Sequence, residues 1–393
     1  MFNNSSSESV LQDVDLRFLG GTLWGEPEIA KNDFTADSGL SLGIHDKIAR
    51  SCDYKRLTRY VLQHAAGEIL PGERVAWCHK RMLPSAEFVA VFHSESEKRA
   101  HYANLRSCCQ IWLCPVCAQK VVFERKKELE KGIQNYKLAG GYAYMLTFTL
   151  QHQLEDKLDC VMGDLLASVE KVFRCCWWQG CKKDIELQGR ITALEIRWGF
   201  EAGWHPHKHL LLLCKKELTI VDQDQLVKGL IKRYCDQLVR RGAYADPDIG
   251  VVLTEDKDDG GYLAKWGIED EMSKGAMKSG RSGSKTPFDL LLWSLIEYSQ
   301  PAELFKEYWK NIKGCRQLVL HKGTRKLMQL VPVDPSDIEL IARAPADDTL
   351  ILQLAFEVWQ DVCRFRKRGQ LLDAVENGGL EAAERLLRGL YEL

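Results

Sequence analysis

Between residues 142 and 254 apolar and polar positions repeat in two alternating rhythms, and the alternation predicts a sheet interleaved with helices. Tyr142 to Leu150, opened by Gly140-Gly141, is dense in β-branched and aromatic residues and reads as a strand. Residues 190–199 and 207–214 predict two more strands, joined through Phe200-Glu201-Ala202-Gly203-Trp204 as a hairpin. Helical spacing covers residues 155–183 and about Leu226 to Arg241. A short strand is expected at Gly250 to Thr254, and a further helix starts near Tyr262. The expected class is α+β.

The flanks have a different rhythm. Ile48, Tyr54, Leu57, Tyr60, Val61 and Leu62 give one face of a helix from about Lys47 to Ala66, with a turn at Pro71-Gly72. A cysteine-bearing segment runs from Val75 to Gln119 and contains the strand-like stretch Phe88 to Phe92. A long helix is expected from about Ala118 to Tyr136, and residues 336–393 are mostly helical in pattern. The chain thus divides into a loosely ordered acidic arm over 1–46, a helical and zinc-binding segment over 47–138, a sheet domain over 139–333 and a C-terminal helical tail over 334–393.

Composition changes this picture in three places. At 393 residues, 45% hydrophobic and 28% charged, the chain is an ordinary globular protein. Its apolar runs, such as Leu210 to Cys214, are too short for a membrane span. The start MFNNSSSESV lacks the basic and apolar pattern of a signal peptide, so a cytoplasmic location is expected. In a reducing compartment the 14 cysteines point to metal binding or buried thiols rather than disulfides. The net charge of −1 is a sum of unlike regions: −6 over 1–46, −5 over 334–393 and +10 between them. The basic middle is the charge balance of a partner for polyanions.

Candidate chemistry concentrates in three motifs. In His205-Pro206-His207-Lys208-His209, followed by four leucines, a strand places His207 and His209 on one face, with His205 able to join them. Two imidazoles on one face form half of a divalent-metal site. Folding the hairpin brings Glu195, a charge among apolar neighbours in Ala193-Leu194-Glu195-Ile196, near their level as third ligand; Glu201 in the turn is a weaker alternative. Tyr262 and Lys265 stand three apart at a helix start, so both project from one side. A tyrosine with a free pKa of about 10 needs a nearby cation to act as a nucleophile near pH 7. The third motif is Cys109-x4-Cys114-Pro115-Val116-Cys117 with Cys78 upstream, a spacing that suits a structural zinc held by Cys78, Cys109, Cys114 and Cys117. Cys108, His79 and His101 are possible substitutes.

The order of these pieces resembles the plasmid rolling-circle replication initiators (Rep) of the HUH endonuclease superfamily. Leu146-Thr147-Phe148-Thr149-Leu150 looks like that family's first motif, a core strand. His207-Lys208-His209 resembles the second, the histidine pair that holds the catalytic metal, and Tyr262-Leu263-Ala264-Lys265-Trp266 the third, with nucleophilic tyrosine and helper lysine. With the cysteine segment and the Lys313-Gly314 region the similarity spans roughly residues 75 to 330. It implies an HUH core: an antiparallel sheet with helices on one face, preceded by the zinc-binding segment and followed by the helical tail. It also implies a magnesium or manganese ion at the histidines and a 5′-phosphotyrosine intermediate on single-stranded or hairpin origin DNA. Host helicase and DNA polymerase are the implied partners, in a bacterial cytoplasm. Lys208 stands where the family has an apolar or aromatic residue, although alternation turns it away from the metal. Trp266 stands where relatives often carry a second tyrosine, which leaves one. Four residues before Tyr262, where single-tyrosine relatives often have glutamate, stands Asp258, with Glu255, Asp256 and Asp259 as alternatives. A rolling-circle transposase or mobilisation relaxase uses the same chemistry. The rival of another class is a zinc-dependent DNA-binding regulator without nuclease activity.

Overall fold

The computed structural model describes residues 56–255 and 284–392. The expected acidic arm, Asp258, Tyr262, Lys265 and most of the basic stretch Lys274 to Lys285 lie outside the described residues. In chain order the elements used below are α1 (Arg56–Ile69), β1 (Val89–Ser94), β2 (Arg99–Ala103), α2 (Pro115–Leu138), β3 (Tyr142–Phe148), α3 (Leu158–Arg174), α4 (Cys176–Asp184), β4 (Leu187–Gly199) and β5 (Gly203–Cys214). They continue as α5 (Ile220–Val239), β6 (Val251–Glu255), β7 (Ser284–Lys285), α6 (Pro287–Ser294), α7 (Ser299–Ile312), β8 (Leu318–Leu320), α8 (Thr324–Leu327), α9 (Asp337–Ala342), β9 (Asp348–Leu354), α10 (Phe356–Arg364) and α11 (Arg368–Arg388).

The chain forms two compact units. Among the described residues, one gathers 56–119, 288–306 and 337–392; the other gathers 120–255, 284–287 and 307–336. In the first, β1 lies between β2 and β9, all antiparallel, with Ala90 opposite Ala103 and Val89 opposite Leu354. Val89 and Val91 pack on Trp359, Val362, Leu371 and Leu372 of α10 and α11. The C-terminal region is thus helical, as its pattern predicts, but it also supplies a strand, β9. A strand whose partner lies some 250 residues upstream carries no local signal of that pairing.

The second unit is built on an antiparallel sheet in the order β6-β3-β5-β4-β7, with β8 also paired to β4. Alternation gives each strand two unlike sides. Tyr144, Leu146, Phe148, Leu210, Leu212 and Cys214 face α3, α4 and α5, and bury Leu165, Val169, Trp178, Leu230 and Tyr234 against them. Phe148 meets Phe173 and Tyr234 edge to face, with ring centroids at 5.8 and 5.2 Å. Helix α5 starts at Ile220, earlier than the apolar spacing predicts. Thr219 and Asp222 form a reciprocal capping box there, which satisfies the first free N–H groups and fixes the start.

The other side of the sheet changes character along its length. At one end Ala143, Met145, Ile191, Ala193, Leu211 and Leu213 pack under Leu129, Ile133 and Tyr136 of α2 and under Met328 and Leu330. At the other end the same rows continue as Thr147, Glu195, Arg197, His205, His207 and His209. The β4–β5 hairpin sets this arrangement, with Glu195 opposite His207 and Ala193 opposite His209. Its turn closes at Gly203, where φ is +71° and a Cβ would stand 2.8 Å from the Gln153 carbonyl oxygen. Both the left-handed backbone and the crowding demand glycine. Gly203→Ala is expected to destabilise the protein by about 1–3 kcal/mol, read as a lower denaturation midpoint. An unchanged midpoint would mean that the turn relaxes without cost.

Candidate functional site

Strand pairing carries Glu195, His207 and His209 to one place: one ligand-capable atom from each lies within 4.8 Å of the others. The His209 ring is held from two sides, with Nδ1 3.0 Å from Thr147 Oγ1 and Nε2 3.2 Å from Glu195 Oε2. Arg197 donates to Glu195 Oε1 from Nε at 2.8 Å and lies 2.7 Å from it through its second nitrogen. The three strand histidines stack nearly parallel, with centroids 4.3 Å apart for His205 and His207 and 5.8 Å apart for His207 and His209.

His205, which strand spacing could also have placed among the ligands, is engaged elsewhere. Its Nε2 lies 3.0 Å from Thr149 Oγ1 and its Nδ1 2.8 Å from His152 Nε2. It therefore buttresses the His207 ring on the side away from His209. Lys208 takes the alternate position on its strand, between Phe148 and Leu194, and so belongs to the opposite side of the sheet. Glu201 is exposed in the hairpin turn and is not part of the group.

The electrostatics suit a cation. Burial alone would raise the Glu195 carboxyl, but the His209 hydrogen bond and the Arg197 charge outweigh it and hold the acid well below the usual carboxylate range. Burial and the adjacent His205 push His207 down to about 3, and burial with His152 pushes His205 down to about 4. Near neutral pH the site is an ionised carboxylate beside neutral His207, the protonation state that metal ligation requires. Two imidazoles and a carboxylate on rigid strands therefore fit a divalent metal. Thr147, which orients the His209 ring through Nδ1, was not singled out by sequence. Its signal was its place opposite His209 in the adjacent strand.

A second cluster forms from Cys78, Cys108, Cys114 and Cys117, all buried, with their sulfurs within 4.8 Å of one another. Cys78 Sγ lies 3.5 Å from Cys117 Sγ and 3.8 Å from Cys114 Sγ, and Cys108 Sγ lies 3.6 Å from Cys117 Sγ. Four thiolates at zinc–sulfur bonds of about 2.3 Å form a tetrahedron with edges of about 3.8 Å. The spacing fits zinc. Cys108 stands where the sequence reading placed Cys109, and this corrects that set. Cys109 adopts φ +54°, its sulfur approaches the Ser107 carbonyl at 3.9 Å, and burial pushes its thiol up to about 11. Adjacent residues in a turn point apart, so only one of the pair can join. His79 and His101 meet other groups, Ser107 Oγ and Asp348 at 3.1 Å each.

Around the sulfurs lies a polar support that spacing could not reveal. The Cys108 N–H donates to Cys78 Sγ at 3.3 Å and Gln63 Nε2 to Cys114 Sγ at 3.2 Å, while Arg368 donates to Gln63 Oε1 at 2.8 Å. Cys108→Ser is expected to strip zinc from the purified protein, measured by elemental analysis, whereas Cys109→Ser retains it. The reverse pattern would return Cys109 to the ligand set.

Among the described residues no helix is long and apolar enough to cross a membrane. No family model matches the chain, and no solved structure matches it. Two curated proteins do. "Neomycin resistance protein" of Streptomyces cyanogenus is 29% identical over 134 residues, 28% of this chain and 31% of that protein. "Protein rep" of Streptomyces lividans is 30% identical over 136 residues, 28% of this chain and 30% of that protein. The chain thus covers less than a third of the length of these relatives. Over 136 residues, the chain is thus similar to a protein named rep.

Proposed function

We propose that the chain is a plasmid rolling-circle replication initiator that nicks and rejoins single-stranded DNA through Tyr262 at a divalent-metal site. The observation that carries this reading is the meeting of Glu195, His207 and His209 on one side of an antiparallel sheet. The similarity to a protein named rep supplies the biological setting.

His207, His209 and Glu195 are the residues that would hold magnesium or manganese. When the cation is bound, the chemistry it supplies is polarisation of the scissile phosphate. Arg197 fixes Glu195 in its ionised, oriented state, and Thr147 fixes the His209 ring. The His209 Nε2–H donates to Glu195 Oε2; that proton would give way to a bound cation, with Nδ1–H then directed to Thr147 Oγ1. Tyr262, as the nucleophile, forms a bond from its phenolic oxygen to the scissile phosphorus as its proton is released. The bond from phosphorus to the 3′ oxygen breaks, and that oxygen takes up a proton. The strand then ends in a 3′-hydroxyl and a 5′-phosphotyrosine. Lys265 neutralises the phosphate, and Asp258 is assigned to activate water or a hydroxyl at termination. The cysteine cluster holds a structural zinc. The substrate is single-stranded or hairpin origin DNA, and the host's helicase and DNA polymerase would act on the nicked product.

The test is incubation of the purified protein and a labelled single-stranded origin oligonucleotide with manganese, followed by a denaturing gel. Wild type is expected to yield a covalent protein–DNA adduct, Tyr262→Phe none, and His207→Ala a reduction of at least about a hundredfold. An adduct that persists in Tyr262→Phe would move the nucleophile elsewhere. Activity unaffected by His207→Ala would remove the histidines from the chemistry. If no origin-derived oligonucleotide is cleaved, the DNA-binding regulator becomes the better reading.

A further inference from the structure

A cavity of about 320 Å³ opens in the sheet unit, at the edge where β4 begins. Phe173 of α3 and Trp178 of α4 form its apolar floor. Lys182 of α4, Arg190 of β4, and His321 and Lys322, which follow β8, supply its polar wall. None of the described residues that line it is acidic. Arg190 and Glu195 share a strand but stand five residues apart, so alternation sends them to opposite sides of the sheet. The cavity is therefore separate from the histidine site.

Its polar wall suits an anion. The Arg190 guanidinium sits over the Phe173 ring at 5.1 Å, and its side chain reaches His321 Nδ1 at 3.4 Å. Guanidinium can only donate, so Nδ1 accepts, and the neutral His321 ring carries its proton on Nε2. That Nε2 is buried without a hydrogen-bond partner. Among the described residues the cavity thus combines a half-buried cation with no lining carboxylate beside it and two flanking lysines. A phosphate, acceptor-only and able to take two guanidinium donors, matches this set.

We propose that this cavity seats a backbone phosphate of the bound DNA, away from the scissile one, with Arg190, steadied by His321 and Phe173, as the donor and Lys182 and Lys322 as flanking charges. The proposal rests on the DNA-directed reading above, and its test is separable from nicking because it measures equilibrium binding without cleavage. The probes are an oligothymidylate and inorganic phosphate, titrated against the full chain over a range of salt concentrations.

Arg190→Gln is expected to weaken oligothymidylate binding by about tenfold and to flatten the slope of log affinity against log salt by about 0.7, one phosphate's share. Lys322 is exposed, so Lys322→Gln serves as the variant that keeps the fold intact, and it should move both quantities in the same direction by less. Unchanged affinity and slope in both variants would overturn the proposal while leaving Tyr262 adduct formation untouched. Wild-type binding of inorganic phosphate without binding of oligothymidylate would overturn the nucleic-acid source and leave a small-anion site. Failure of adduct formation with the salt dependence as expected would count against the nicking reading alone.

Discussion

The register between β4 and β5 is the constraint on which the rest depends. Glu195 meets His207 and His209 only because the strands pair with Glu195 opposite His207, and a slip of one residue would turn every imidazole toward the helical layer. Apolar packing away from the site enforces that register. Leu211 and Leu213 share the histidines' side of β5 and are buried under Leu129, Ile133 and Tyr136, so the leucines that complete the core also aim the histidines. The hairpin turn at Gly203 fixes the same pairing from the opposite end. The site is thus specified by hydrophobic burial, at little cost in dedicated structure.

Burying a carboxylate is expensive unless charge and hydrogen bonds repay it. Arg197 alone could repay Glu195, as in many structural ion pairs. The imidazoles are what that account leaves over. His207 is pushed down to about 3 and lies between two other rings, and an apolar side chain there would pack with less desolvation cost. Imidazoles converging on a fixed carboxylate have a physical use when a cation is present and little use without one.

Much of this geometry was legible from periodicity, because strands with period two declare which residues share a side. The β4–β5 hairpin, the strand at Tyr142 and the grouping of Glu195 with His207 and His209 follow from alternation alone. Turns declare less. Whether Cys108 or Cys109 faces Cys117 depends on a positive φ at Cys109, which the C-x2-C spacing does not encode. Long-range contacts declare least: Gln63 and Arg368, which support Cys114, are 305 residues apart, and β9 gains its meaning only beside β1. The start of α5 was readable from Thr219 and Asp222, but as a capping signal rather than an apolar one.

The two donor clusters differ in the property that separates structural from catalytic metal sites. The cysteines supply four sulfurs at tetrahedral spacing, buried and steadied by the Cys108 N–H and Gln63, so a zinc there would have no position left for a substrate. Glu195, His207 and His209 supply three donors from rigid strands, and three is the number that leaves room for an oxygen of a bound phosphate. Softness separates them in one direction: thiolates select zinc, whereas a carboxylate with imidazoles accepts zinc as well as manganese or magnesium, the ions that accompany phosphates. The two sets therefore differ in selectivity: the thiolate set does not suit a hard cation, whereas the histidine–carboxylate set would accept hard and borderline cations alike.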